Sequence, residues 1–284
     1  MTVERQRTSP DMWALATLAL LLLALYAHVG AKLDYDWYDL ADDSHGFLVP
    51  LFAGYMLWER REKLRDLPRT QSWMGLSLVL PALFLLIVGI FGADLFLSRI
   101  SFVLLLAGLV WTLLGWTFLR EVRFILLVLL LAIPLPTIVL QQITFPLQLQ
   151  ASRISGVVLP WFGVPVVQAG NVIQLPSMQL EVAEACSGIR SLMSLFTVAV
   201  CYGYFMEPTV WRRVVLAMAS LPIAVAANCV RIIGTGLCVQ YWNPDKALGF
   251  FHEFSGWLMF LVSLLCLYAL HSLMLLRTRR PAAA

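Results

Sequence analysis

Trp73-Met74-Gly75-Leu76-Ser77-Leu78-Val79-Leu80-Pro81-Ala82-Leu83-Phe84-Leu85-Leu86-Ile87-Val88-Gly89-Ile90-Phe91-Gly92 is a run of twenty residues without one charged side chain. A hydrocarbon core of roughly 30 Å takes about 20 mostly apolar helical residues to cross, so this stretch reads as a transmembrane helix. Comparable runs lie upstream at 12–30 and 44–58, and downstream at 96–118, 124–140, 187–206, 213–240 and 256–276, which makes about eight spans. The 44–58 run is short and begins Ser44-His45-Gly46. The 124–140 run ends in Pro134-Leu135-Pro136, which kinks or finishes a helix. Composition agrees: 60% of the 284 residues are hydrophobic and 13% are charged, whereas soluble domains carry roughly 25% charged residues. Too little polar sequence remains for a separate soluble domain. The expected fold is an all-α polytopic membrane protein, with residues 1–284 forming a single integral membrane domain.

Charge placement orients the spans. Arg5 and Arg7, then Arg60, Arg61, Lys63, Arg65 and Arg69, then Arg120 and Arg123, Arg212 and Arg213, and finally Arg277, Arg279 and Arg280 fall on alternate connections. The opposite connections hold only Lys32, Arg99, Arg153 and Lys246. By the positive-inside rule the first set is cytoplasmic, which puts both termini inside. Asp34, Asp36, Asp39, Asp42 and Asp43 then belong to an outer connection. The first span follows basic residues as a signal peptide would, but no small-x-small cleavage site follows, so it reads as an uncleaved anchor. A net charge of +3 gives no sign of a nucleic-acid partner.

The one long outer segment runs over 141–186. Gln141–Leu159 spaces its apolar residues helically around Gln148, Gln150 and Arg153, the pattern of a short amphipathic helix lying at the interface. Val164–Val167, Val172–Leu175 and Met178–Val182 are β-prone and are separated by Ala169-Gly170-Asn171 and Pro176-Ser177, turn sequences that predict a small sheet or β-hairpin on the outer face. Such a sheet could pair with an extended peptide by strand addition.

Topology brings three reactive side chains to one level. Cys186 precedes the 187–206 span, where the positive end of a helix dipole favours a thiolate. Arg231 stands 18 residues beyond Arg213, about 27 Å along a helix, and so near the outer boundary of the core. His252 opens the last span from the same side. Taken singly, each has a blander account: a packed cysteine, an arginine snorkelling to headgroups, a polar helix start. Their coincidence at one depth points to a site. Of the five cysteines, Cys201, Cys229, Cys238 and Cys266 lie in apolar runs and read as inert packing. An odd count without CxxC speaks against a disulfide framework or a zinc site, and the absence of HExxH speaks against a metalloprotease. No cofactor or metal is expected.

At these positions the chain resembles the exosortases, of the exosortase/archaeosortase family of membrane transpeptidase-like enzymes. The resemblance rests on Glu184-Ala185-Cys186-Ser187-Gly188-Ile189-Arg190, on Asn228-x-x-Arg231, on His252 three residues before Ser255-Gly256, and on Ser44-His45-Gly46-Phe47-Leu48-Val49-Pro50. It implies a cysteine protease or transpeptidase in a bacterial inner membrane, with its active site facing the periplasm. The implied substrates are exported proteins carrying a C-terminal sorting signal, made of a Pro-Glu-Pro-type motif, a transmembrane helix and a basic tail. The implied host is a Gram-negative bacterium making extracellular polysaccharide. Some relatives carry an extra C-terminal domain; whether a separate accessory protein supplies that role here stays open.

The expected roles follow. Cys186 is the nucleophile, His252 the acid/base and Arg231 the oxyanion stabiliser, with a thioester acyl-enzyme resolved by an amine acceptor or by water. Arg190, four residues after Cys186, is the rival for the oxyanion or a partner for a lipid phosphate or substrate carboxylate. Asn228 shares the face of Arg231, and His45 is a further candidate for the cavity wall. The competing function is a transporter or flippase for polysaccharide precursors, which needs no thiol chemistry; no matching inverted halves support it.

Overall fold

A computed structural model describes residues 12–182, 188–242 and 250–279. The chain divides into two compact units, Met1–Leu40 with Leu57–Ile133, and Ala41–Met56 with Pro134–Ala284.

In the first unit, α1 (Met12–Asp39), α4 (Leu76–Phe91) and α5 (Leu95–Leu114) pack around Tyr26, Val29, Ala82, Leu86 and Leu105. Lipid supplies no hydrophobic drive between helices, so close packing and polar contacts must hold them. Gly108 faces the Val79 backbone, where a Cβ would lie 2.8 Å from its nitrogen, and Gly89 meets Ser98 in the same way. Asp94 caps α5 by accepting hydrogen bonds from the backbone N–H groups of Phe96 and Leu97. The Tyr26 hydroxyl bonds to Ser101 at 2.9 Å. Expected to belong to an outer loop, 31–39 instead continues α1. Arg99, 4% exposed, pairs there with Asp36, and Trp37 donates its indole N–H to the Ala132 carbonyl at 2.8 Å. These partners let a polar stretch stay helical.

Among the described residues, five helices are long and apolar enough to cross a membrane: Met12–Asp39, Trp73–Phe91, Leu95–Leu114, Val210–Tyr241 and Phe254–Leu276. Trp116–Ala132 and Thr137–Phe162, which flank the break at 133–136, make a sixth if counted together. The expected eight is not confirmed. Of the remaining two candidates, the 44–58 run forms a 3-10 segment, Ala41–Phe47, and a helix α2 (Leu48–Glu59) of 12 residues. Twelve residues rise only about 18 Å. Gly188–Met206 (α8) is helical over 19 residues. The proline pair ends the fifth run at Ala132, and α7 (Thr137–Val158) starts afresh after it.

The second unit carries the sheet. β1 (Val167–Ala169), β2 (Val172–Gln174) and β3 (Gln179–Glu181) form an antiparallel meander, the small sheet rather than the two-stranded hairpin of the two expected alternatives. Gly170 takes φ 64°, the left-handed conformation that a two-residue hairpin turn asks of its first central residue. The second turn closes with Leu175 N–H donating to the Met178 carbonyl at 2.9 Å. Ile173 and Leu180 are register partners, and both are buried. With Val164, Leu175 and Val182 they pack on Ala151 of α7 and on Cys229, Ile232 and Val239 of α9 (Val210–Tyr241). A second core, Leu195, Ala199, Leu216, Ala224 and Leu267, joins α8, α9 and α10 (Phe250–Arg279).

Candidate active site

Of the three residues expected to meet, Arg231 is the one whose side chain is described. Cys186 falls in 183–187, outside the described residues; His252 is placed in the first turn of α10, but its side chain also lies outside the description. Arg231 sits in the unbroken helix α9, so the helical arithmetic separating it from Arg213 holds. Cys229 and Ile232, on one side of the helix, are sealed under the sheet. Arg231 turns instead to α10, where its guanidinium lies flat on Gly256: a Cβ on that glycine would stand 3.4 Å from Cζ and Nη2 and 3.6 Å from Nη1. Gly256 comes one helical turn after His252, and residues four apart share a face. Arg231 is therefore the neighbour of the helix turn that carries His252. Thr235 Oγ1 donates to the Arg231 carbonyl at 3.0 Å, which ties down the backbone one turn on.

Asn228 has its Oδ1 buried and bonded to nothing among the described residues, so that oxygen does not orient Arg231. Arg190 lies in the first turn of α8 and is largely exposed; its Nε reaches Asp42 Oδ1 at 3.4 Å. An exposed pair of this kind contributes about 0–1 kcal/mol. Asp42 belongs to the 3-10 segment that carries His45, and the His45 Nδ1 lies 3.2 Å from the Asp42 carbonyl oxygen. A carbonyl only accepts, so this bond puts the proton of a neutral ring on Nδ1. His45 is buried, at 7% exposure.

Beneath the Arg190–Asp42 pair is a cavity of about 230 Å³, lined by Ser44 and His45, by Leu48 and Phe52 of α2, by Ser194, Thr197 and Val198 of α8, and by Phe260 of α10. Residues 190, 194, 197 and 198 make one face of α8; 252, 256 and 260 make one face of α10. The faces that carry Arg190 and the His252 turn therefore both lead down to this cavity.

A second polar cluster occupies the opposite, Arg212 end of the same helices. Glu207, with a fully buried side chain, receives His271 Nε2 at 2.9 Å and Arg212 Nη1 at 3.3 Å. Tyr202 Oη lies 2.7 Å from His271 Nδ1, and Arg213 Nε donates to the Glu207 carbonyl at 2.7 Å. A neutral His271 satisfies both neighbours, accepting from the tyrosine and donating to the carboxylate. Sequence reading passed over this cluster because Glu207 stands before Pro208, between two spans, and looks like a loop residue. A histidine inside an apolar run was the signal that could have exposed it.

Residues 37–269 match the family model described as transmembrane exosortase. The chain belongs to the transmembrane exosortase family. No curated protein and no solved structure matches it. Membership supports a membrane transpeptidase or protease role for this exosortase and accords with its several apolar helices. The matched range takes in Cys186, Arg231 and His252, together with the cavity wall formed by Ser44, His45, Thr197 and Phe260.

Proposed function

We propose that this exosortase is a cysteine transpeptidase or protease that cuts C-terminal sorting signals of exported proteins at the periplasmic face of a bacterial inner membrane. The observation that carries the reading is the seat of Arg231 on Gly256, one turn from His252. In low-dielectric surroundings a fixed cation stabilises charge that develops in a transition state.

Cys186, two residues ahead of α8 in sequence, gives its proton to His252, and its sulfur attacks the scissile carbonyl carbon. Arg231 holds the resulting oxyanion. When the tetrahedral intermediate collapses, the carbon–nitrogen bond breaks, His252 returns the proton to the leaving amine, and a thioester remains. An amine acceptor or water then attacks the thioester, and the thiol is regenerated. The outer edge of β3, paired with no further strand among the described residues, offers an extended substrate a strand to pair with.

The test compares Cys186→Ala with Cys201→Ala in cells that express a tagged protein ending in a Pro-Glu-Pro-type motif, a helix and a basic tail. Cys201 is 1% exposed inside α8, so its loss should leave cleavage intact. Cleavage that survives Cys186→Ala in normally produced protein would sink the nucleophile assignment.

A further inference from the structure

We infer that the cavity beneath the Arg190–Asp42 pair is a binding subsite for the substrate chain on the C-terminal side of the cut, where it enters its own transmembrane helix. This rests on the reading just given and adds to it the place where the membrane-embedded part of the substrate docks.

Three observations carry it. The lining is mostly apolar: Leu48, Phe52, Val198 and Phe260 supply the walls, while Ser44, His45, Ser194 and Thr197 supply polar points. That mixture fits a ligand site rather than a packing flaw, which would be dry and wholly apolar. Thr197 is 2% exposed, and its Oγ1 has no hydrogen-bond partner among the described residues. A helical threonine ordinarily bonds back to a carbonyl of the preceding turn; leaving a buried hydroxyl unmatched costs about 1–3 kcal/mol. A ligand that brings a donor or acceptor would recover that loss. Finally, Phe260 lies eight residues beyond His252 on α10, so the cavity sits about 12 Å deeper along the helix than the acid/base.

That depth selects the occupant. An extended chain advances about 3.3 Å per residue, so about four residues past the scissile bond bring the substrate to this level. There the sorting signal changes from an extended motif to a helix, and the first turn of a helix has backbone N–H groups without intrahelical partners. One such N–H meets the Thr197 hydroxyl, and the neighbouring apolar side chain fills the space. A volume of about 230 Å³ equals roughly seven or eight waters of liquid, enough for a large side chain and the backbone beside it.

The experiment uses the full chain in membranes, with tagged substrates carrying a benzophenone amino acid at successive positions after the cut. Cys186→Ala in the enzyme holds the substrate uncut. Cross-links to the peptides containing Ser194–Val198 or Phe260 should peak at about the fourth position, as the extended rise requires. Their absence from every position tested would overturn the subsite. In the catalytically competent enzyme, Ser194→Phe fills the space. Cleavage of a substrate with a large residue at that position should lose about tenfold in kcat/KM through KM, while a glycine there should restore it to within about twofold. Equal losses on both substrates, or none on either, would also overturn it. Thr197→Val keeps the shape and removes the hydroxyl, so a KM effect in a normally produced variant reports on binding alone. Cleavage persisting with Cys186→Ala sinks the enzymatic reading itself; cleavage lost there, with no cross-link and no size discrimination, sinks only the subsite.

Discussion

Gly256 makes the seat of Arg231 testable without touching a reactive side chain. A Cβ at Gly256 stands 3.4 Å from the guanidinium carbon, which is ordinary contact, so Gly256→Ala should be accommodated. Alanine should also stabilise α10 by about 0.8–1 kcal/mol through helix propensity. Gly256→Val differs. Its methyl groups extend about 1.5 Å beyond Cβ, and the guanidinium must retreat by about that much to regain the roughly 3.5–4.0 Å separation of nonbonded carbons. A misplacement of about 1 Å costs on the order of 100-fold in rate, the same order as losing one oxyanion donor. That is about 2.7 kcal/mol of transition-state stabilisation. The assay follows cleavage of the tagged substrate in membranes, normalised to enzyme abundance. Gly234→Val is the control, because a Cβ at Gly234 of α9 meets nothing within 4 Å. Normal production with cleavage within threefold of wild type for Gly256→Val would refute the oxyanion role of Arg231, on the scale set by that donor loss.

Arg231→Lys should lose about 100-fold or more in kcat, since a point charge does not replace a fixed planar fork; Arg190→Lys should stay within about threefold, as an exposed pair with Asp42 allows. The same cleavage assay separates the two. His271→Ala removes one of the two side-chain donors on buried Glu207 and should cost about 1.5–3 kcal/mol, read as a lowered unfolding midpoint in detergent. Gly115 holds φ 95° with the Thr70 carbonyl oxygen 2.5 Å from where a Cβ would be. Gly115→Ala should therefore destabilise by about 1–3 kcal/mol in the same measurement while leaving the thiol labelling of Cys186 unchanged.

The parts of the fold that depend on local periodicity were legible. The β-prone runs and their Gly170-Asn171 and Pro176-Ser177 turns became a sheet because alternation and turn chemistry are short-range signals. The amphipathic stretch after Gln141 became α7 for the same reason. Span counting was weaker, because a hydropathy window registers apolar character and not where a helix breaks. Ala41–Phe47 tightens to a 3-10 turn and leaves α2 short. Pairings across long separations were invisible: Asp42 and Arg190 are 148 residues apart, and Glu207 and His271 are 64 apart. The distance of Arg231 from Arg213 along α9 could be worked out because helical rise is constant. Its seat on Gly256 could not, since nothing local in the chain says which face of α9 meets α10.

The Glu207 cluster bears on how such a site keeps its geometry. Arg231 and the His252 turn lie on separate helices in a solvent that gives packed apolar faces little preference for one register over another. A slide of one helix by a single turn, about 5.4 Å, would carry the Arg231 guanidinium off Gly256 while leaving leucines against leucines. The register is held from the far end. Glu207 follows α8, Arg212 and Arg213 belong to α9, and His271 to α10. A buried carboxylate is tolerable only with all its partners in place, so the same one-turn slide would strand it. Polar groups placed about 27 Å from Arg231 along α9 thus make the alignment of Arg231 with the turn that carries His252 depend on the three-helix packing at the far end.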